Sequence, residues 1–167
     1  MYKVGDYVIH GSNGACRIEG IGPLTGELSG SDKLYYTMTT CYTRSTIYSP
    51  VESPKVLLRP IMTKAEAESL LEDAKNIRPM VCKDEKQREQ DYRDGLRTGS
   101  CVELIRIIKA IEERKEQRLK QGKKSTASDD KFCKLAEDSL YGELAIALGI
   151  PKEEVKEAVA PKLSAEL

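Results

Sequence analysis

The hydrophobic period of this chain changes near residue 60, and that change fixes its class. Before it, apolar and polar side chains alternate in short runs broken by glycine. Leu34, Tyr36 and Met38 alternate with Tyr35, Thr37 and Thr39, and Cys16 and Ile18 alternate with Arg17 and Glu19. A period of two marks a strand with one face in a core. After it, apolar residues recur three and four apart: Cys101, Leu104, Ile105, Ile108 and Ile111, then Phe132, Leu135, Ala136, Leu140, Leu144, Ala147 and Leu148. That is the stripe of an amphipathic helix. The chain reads as α+β, a small five-stranded β module over 1–60 followed by a compact all-α domain over 61–167. With 167 residues, 40% of them hydrophobic, it can bury two small cores.

The expected strands are 4–10, 14–22, 34–40, 46–51 and 56–60, and their spacing suggests a strongly bent sheet or an SH3-like barrel. Asn13-Gly14 is expected to supply the positive φ angles of a tight hairpin. Residues 23–32 are rich in Gly and Ser and read as a loop. In the second half, Thr63-x-x-Glu66 is a capping box that starts a helix to about Lys75. An irregular stretch with Pro79 follows. A polar helix is expected over 84–98, ended by Gly99, and a long one runs to about Leu119. Thr126 or Ser128 caps the next helix, Gly149 fits its C-cap, and Pro151 fits the first position of a short last helix.

The chain carries 27 Lys+Arg against 27 Asp+Glu, so local positive charge is placed rather than spread. Between Arg106 and Lys124 lie eight cations (Arg106, Lys109, Arg114, Lys115, Arg118, Lys120, Lys123 and Lys124) against three glutamates. Phosphate binding needs several cations on one surface. The plainer reading is a solvated helix face with i,i+4 pairs such as Glu116–Lys120. Lys86 and Arg88 could extend the run, although Glu85, Glu89, Asp91 and Asp94 dilute them. Asp129 and Asp130 open a helix, where negative charge suits the dipole.

Six of the eight tyrosines lie in the first 60 residues, and most are expected in the core. Tyr35 and Tyr36 point to opposite faces, so one of them should be exposed. The five cysteines are scattered without a CxxC and read as buried thiols. The single His10 reads as strand-end packing or a turn hydrogen bond. No phosphate loop, HExxH or paired metal spacing occurs, so no enzyme, cofactor, metal site or small-molecule substrate is expected. No apolar run is long enough to span a bilayer and no signal peptide opens the chain, so a cytoplasmic protein is expected.

Three blocks are similar to one family. Lys3-Val4-Gly5-Asp6-Tyr7-Val8-Ile9-His10 with Asn13-Gly14-Ala15, then Leu96-Arg97-Thr98-Gly99, and then Thr126 to Phe132 with Leu140-Tyr141-Gly142-Glu143-Leu144 resemble the CarD/CdnL family of bacterial transcription regulators. The ending Ala147-Leu148-Gly149-Ile150-Pro151 looks like the variant found in Firmicutes. The resemblance implies a Tudor-like N-terminal module that pairs an edge strand with the RNA polymerase β subunit, with Arg17, Tyr35, Arg44, Thr46, Ile47 and Tyr48 as its contacts. It implies a helical domain that meets promoter DNA upstream of the −10 element and stabilises the open complex. The DNA contacts would be Lys86, Arg88, Arg106, Lys109, Arg114, Arg118, Lys123 and Lys124. Many members carry a tryptophan wedge near the start of that domain. This chain has no Trp, and Met80 or Val81 is the candidate substitute. A monomer is expected. The rival readings are an RNA- or ribosome-associated SH3-like module and a small cysteine-dependent enzyme using Cys16 and His10.

Overall fold

The computed structural model of the protein describes residues 1–25 and 32–164; most of the loop expected at 23–32 lies outside them. The chain divides into two compact units, Met1–Ile61 and Met62–Leu167.

The first unit is a five-stranded antiparallel sheet of β1 (Tyr7–His10), β2 (Ala15–Gly22), β3 (Tyr35–Thr40), β4 (Thr46–Pro50) and β5 (Leu58–Pro60), in the order β4-β3-β2-β1-β5. The alternation in sequence becomes two faces. Val8, Cys16, Ile18, Tyr36 and Met38 are buried together on one, with Ile47 and Leu58 packed against them. Lys3-Val4-Gly5-Asp6 forms the turn into β1. Asp6 N–H donates to the Lys3 carbonyl at 3.0 Å, the Asp6 carboxylate accepts from Lys3 N–H at 2.8 Å, and Gly5 takes φ +93°. A positive φ at the third position is what a type II turn requires, hence glycine. The β1–β2 connection differs from the expected tight hairpin. Gly11–Asn13 is a 3₁₀ turn, and the positive φ angles fall on Gly11 and Gly14, not on Asn13. Asn13 acts through its side chain instead, 2.9 Å from the Nδ1 of His10.

The tyrosines correct another expectation. Of the six in this unit only Tyr36 is buried; Tyr7, Tyr42 and Tyr48 are exposed, and Tyr2 and Tyr35 are half-buried. A strand in a sheet covered on one side alone places every second residue in water, whatever its hydrophobicity.

The second unit holds five helices: α1 (Lys64–Asp73), α2 (Arg88–Thr98), α3 (Cys101–Lys120), α4 (Ala127–Leu148) and α5 (Lys152–Leu163). Both halves of the Thr63–Glu66 capping box are present, at 3.1 and 2.7 Å. The first helix stops at Asp73 and tightens into a 3₁₀ turn, Ala74–Asn76. Helix α2 starts at Arg88 rather than at residue 84, because the Asp84 carboxylate accepts from Lys86 N–H at 3.0 Å and forms a turn in place of a helical one. Thr126, not Ser128, caps α4: it accepts from Asp129 N–H at 3.1 Å, while the Ser128 hydroxyl donates to Glu89 at 2.7 Å. Pro151 is the N-cap of α5, one position before that expected. Gly99 and Gly149 end α2 and α4 in the left-handed conformation.

The core joins Leu104, Ile105, Ile108 and Ile111 of α3 to Leu140 and Leu144 of α4, with Val155, Val159 and Leu163 of α5 packed on the same cluster. Ile107, off the expected stripe, is fully buried, and Gly95 makes room for it: a Cβ on Gly95 would lie 2.8 Å from Ile107 Cδ1. Leu135, on the expected stripe of α4, is 43% exposed. Among the described residues no helix is long and apolar enough to cross a membrane.

Candidate partner-binding surfaces

In the β unit the sheet has two edges among the described residues: β4, which pairs with β3 alone, and the short β5, which pairs with β1 alone. The hydrogen bonds that flank the β3–β4 ladder run from Thr40 N–H to the Ser45 carbonyl and from Val51 N–H to the Leu34 carbonyl, at 2.9 and 3.0 Å. Antiparallel pairing alternates, so the backbone groups of Ile47 and Ser49 face β3 while those of Thr46 and Tyr48 face outward. The register Arg17↔Thr39 and Thr39↔Thr46 puts these three side chains in one row across the outer face; Thr37↔Tyr48 forms the next. Tyr35, opposite Pro50, lies on the same face.

Of the residues singled out in this unit, Arg17, Tyr35, Thr46 and Tyr48 therefore share the outer face. Ile47 faces the other way, opposite Met38, and packs on the core. Arg44 sits in the β3–β4 turn, exposed, at φ +56°. Its neighbours lock the turn: Ser45 N–H donates to the Thr40 hydroxyl at 2.7 Å, and the Thr40 and Thr43 hydroxyls lie 2.6 Å apart. Sequence reasoning missed Tyr7, an exposed aromatic that stands opposite Arg17 on this face. The alternation that exposed Arg17 was the signal that could have found it.

In the helical unit most of the basic run is engaged internally. Arg114 Nε donates to a fully buried Asp129 at 2.9 Å, and another of its nitrogens reaches Glu85 at 2.6 Å. Arg88 pairs with Glu85 and lies 3.8 Å from the other oxygen of Asp129. Asp129 is thus the centre of a partly buried ion network, not a simple dipole partner as its place in the first turn of α4 suggests. Burial first, and then the Asp129 charge, push the Tyr92 hydroxyl up to about 12. Arg106 pairs with Glu103 at 2.9 Å, and Lys115 with Asp130 at 3.2 Å. The Glu116–Lys120 pair forms at 3.4 Å.

Lys109 makes no ion pair among the described residues. Its ammonium donates to the Ala74, Lys75 and Ile77 carbonyls, the last at 2.7 Å, and so satisfies the end of the 3₁₀ turn. Burial lowers its pKa, with the Glu113 charge opposing. Arg118 Nε donates to the Lys124 carbonyl at 2.9 Å and shapes the α3–α4 connection. Lys86, Lys123 and Lys124 are exposed, with no ion pair among the described residues. A cation beside its own carboxylate offers a phosphate little net charge, so these three are the strongest candidates of the set.

Met80 and Val81 diverge. Met80 is half-buried on the helical core and its N–H donates to the Arg106 carbonyl at 3.0 Å, whereas Val81 is 80% exposed. Both line a depression of about 660 Å³ whose walls carry Asp84, Asp91, Asp94 and Glu103.

Two sites that could carry chemistry are poorly suited to it. Cys16 is fully buried; burial, with the Cys41 thiol second, raises its pKa to about 12. A thiol held protonated is a weak nucleophile, and desolvation lowers His10, so the pair makes no thiolate–imidazolium couple. Glu112, Cys133 and Glu137 offer donor atoms within 4.8 Å of one another, a spacing a metal could bridge. Burial and the two carboxylates hold the Cys133 thiol protonated, and it donates to Glu137 at 3.4 Å and to Glu112 at 3.6 Å.

Residues 2–62 match the family of the CarD-like/TRCF RID domain, and residues 65–160 match that of the CarD C-terminal domain. The chain belongs to the CarD family. No curated protein matches it. The CarD family is one of non-enzymatic transcription factors, and its members interact with RNA polymerase. The two matched segments fall on the β unit and the helical unit in turn.

Proposed function

We propose that this protein docks on the β subunit of RNA polymerase through strand β4, and that its helical unit contacts promoter DNA upstream of the −10 element to stabilise the open complex. The observation that carries the reading is the open edge of β4, with the outward backbone groups of Thr46 and Tyr48. An extended partner strand adds to such an edge by main-chain hydrogen bonds, while side chains on alternate positions give register. Arg17, Tyr35 and Tyr48 supply those side chains on the outer face, and Arg44 supplies a cation at the tip. Docking then holds the helical unit near DNA at high effective concentration, so a few cations suffice. Lys86, Lys123 and Lys124 carry the phosphate contacts, with Arg118 beside them. Arg88, Arg106, Lys109 and Arg114 act chiefly by shaping the unit. The chain works as a monomer.

Tyr48→Pro tests the docking step. It removes an outward N–H without touching the β3–β4 ladder, a place where an edge strand tolerates proline. Binding to the β subunit should fall about tenfold, the worth of one good hydrogen bond to the partner, with little loss of stability. Ile47→Pro breaks the internal ladder and should lower stability. Full β-subunit binding by a folded Tyr48→Pro variant rejects pairing through β4.

A further inference from the structure

A second cationic surface of the helical unit lies away from the exposed lysines at the end of α3. A depression of about 230 Å³ is lined by Lys75, Arg78, Lys109 and Lys162, with Glu113 the one carboxylate among its described lining residues. Three segments distant in sequence build it: the 3₁₀ turn after α1, the middle of α3 and the end of α5. Lys109 is the organiser. Its ammonium holds the carbonyls of Ala74, Lys75 and Ile77 and thereby pins the segment that carries Lys75 and Arg78. Lys75, Arg78 and Lys162 hold no ion pair among the described residues, unlike Arg88, Arg106 and Arg114. Four cations against one carboxylate line a concave surface whose described lining also includes Ile77, Pro79 and Leu163. Unpaired cations converging on a depression recognise an anion with several oxygens. Lys109 sits roughly 16 Å along α3 from its last residue, so this surface is separate from Lys123 and Lys124.

We propose that this depression binds a phosphate group, supplied by a nucleic-acid backbone or by a free phosphorylated small molecule. Lys75, Arg78 and Lys162 provide the contacts, and Lys109 positions them. The inference does not depend on docking to the β subunit, and its test contains no polymerase.

The full chain is titrated with pyrophosphate at constant ionic strength while the backbone amides of Asn76, Ile77 and Ser164 are followed by NMR. Saturable shifts at these amides are expected. The double variant Lys75→Glu/Arg78→Glu should weaken them tenfold or more, since each lost charge-assisted bond is worth about a factor of ten. Lys75→Arg/Arg78→Lys should keep them. Lys75 and Arg78 are both exposed, so the variants should keep the wild-type melting temperature. In a second arm the same proteins bind a short DNA duplex across a salt series. A slope flatter by about 1.8 in the charge-reversed variant, with pyrophosphate competing, identifies the DNA backbone as the source. Pyrophosphate binding with an unchanged duplex slope identifies a free phosphorylated molecule. The proposal is overturned if pyrophosphate moves the amides no more than sodium chloride does, or if the charge-reversed variant binds it as tightly as wild type.

Discussion

The outer face of the β sheet and the cationic face of α3 both read in sequence as polar surfaces available to a partner. They differ once folded. On the sheet, Thr46 and Tyr48 keep outward backbone groups, and among the described residues the one ion pair of Arg17 is an exposed contact with Glu19 at 3.8 Å. On the helical unit, Arg88 and Arg114 converge on a buried aspartate, and Lys109 is consumed by three carbonyls. A strand at a sheet edge cannot satisfy its own outward backbone groups, so its availability is a property of topology. A long cationic side chain reaches far enough to find an internal acceptor, so its availability depends on what folds beside it.

The largest effect should come from Asp129→Ala. It leaves two guanidinium groups facing a buried gap, and removing one partner of a buried ion pair costs about 3–5 kcal/mol. Chemical denaturation should show the helical unit losing that much while the β unit keeps its own transition. A loss below about 1 kcal/mol, the ordinary worth of an exposed pair, would return Arg88 and Arg114 to the pool of available cations and erase the contrast.

Next is the pair Met80→Trp and Val81→Trp. Met80 packs on the helical core beside Gly95, so a larger ring there should cost about 1–3 kcal/mol. Val81 is 80% exposed, and its replacement should stay within about 0.5 kcal/mol. If an apolar wedge acts in this protein, only Val81→Trp should lengthen the open-complex lifetime, by up to roughly tenfold from stacking on one base. An unchanged lifetime with Val81→Trp removes the wedge from the account.

A smaller effect follows from His10. Desolvation lowers its pKa below the ordinary 6.5, so the folded β unit binds its proton less readily than the unfolded chain does. The stability this neutral imidazole contributes is complete above pH 6.5 and is lost as the pH falls towards the folded value. His10→Gln should remove that pH dependence. A stability profile of the isolated β unit that is the same in both proteins between pH 7 and about pH 5 would contradict it.

The smallest change in stability, within about 0.5 kcal/mol, should come from Lys86→Ala/Lys123→Ala/Lys124→Ala. Its readout lies elsewhere: three lost phosphate contacts should flatten the slope of log affinity against log salt by about 2.7. An unchanged slope would make these lysines solvated surface and leave the helical unit without an α3-end DNA contact.

Much of the fold was legible because its signals are local. The switch of period near residue 60, the Thr63–Glu66 box, and the glycines at 99 and 149 each report a constraint set within a few residues. The β1–β2 connection was less so: Asn13-Gly14 indicates a turn, but the loop length that fixes its type depends on where the pairing of β1 and β2 begins. The same limit applied to α2, where Asp84 took the Lys86 amide and delayed the helix.

The sequence by itself determined the two-unit α+β order, the alternation that sets Cys16 and Ile18 on one face and Arg17 on the other, and the presence of an excess of cations between residues 106 and 124. Tertiary structure decided which of those cations are available. Asp129 is 15 residues from Arg114 and 41 from Arg88, and Lys109 lies 32 from the Ile77 carbonyl it holds. Pairings of that range depend on how helices pack, and helix packing is governed by the apolar stripe, which carries no information about which carboxylate or carbonyl each charged end will meet.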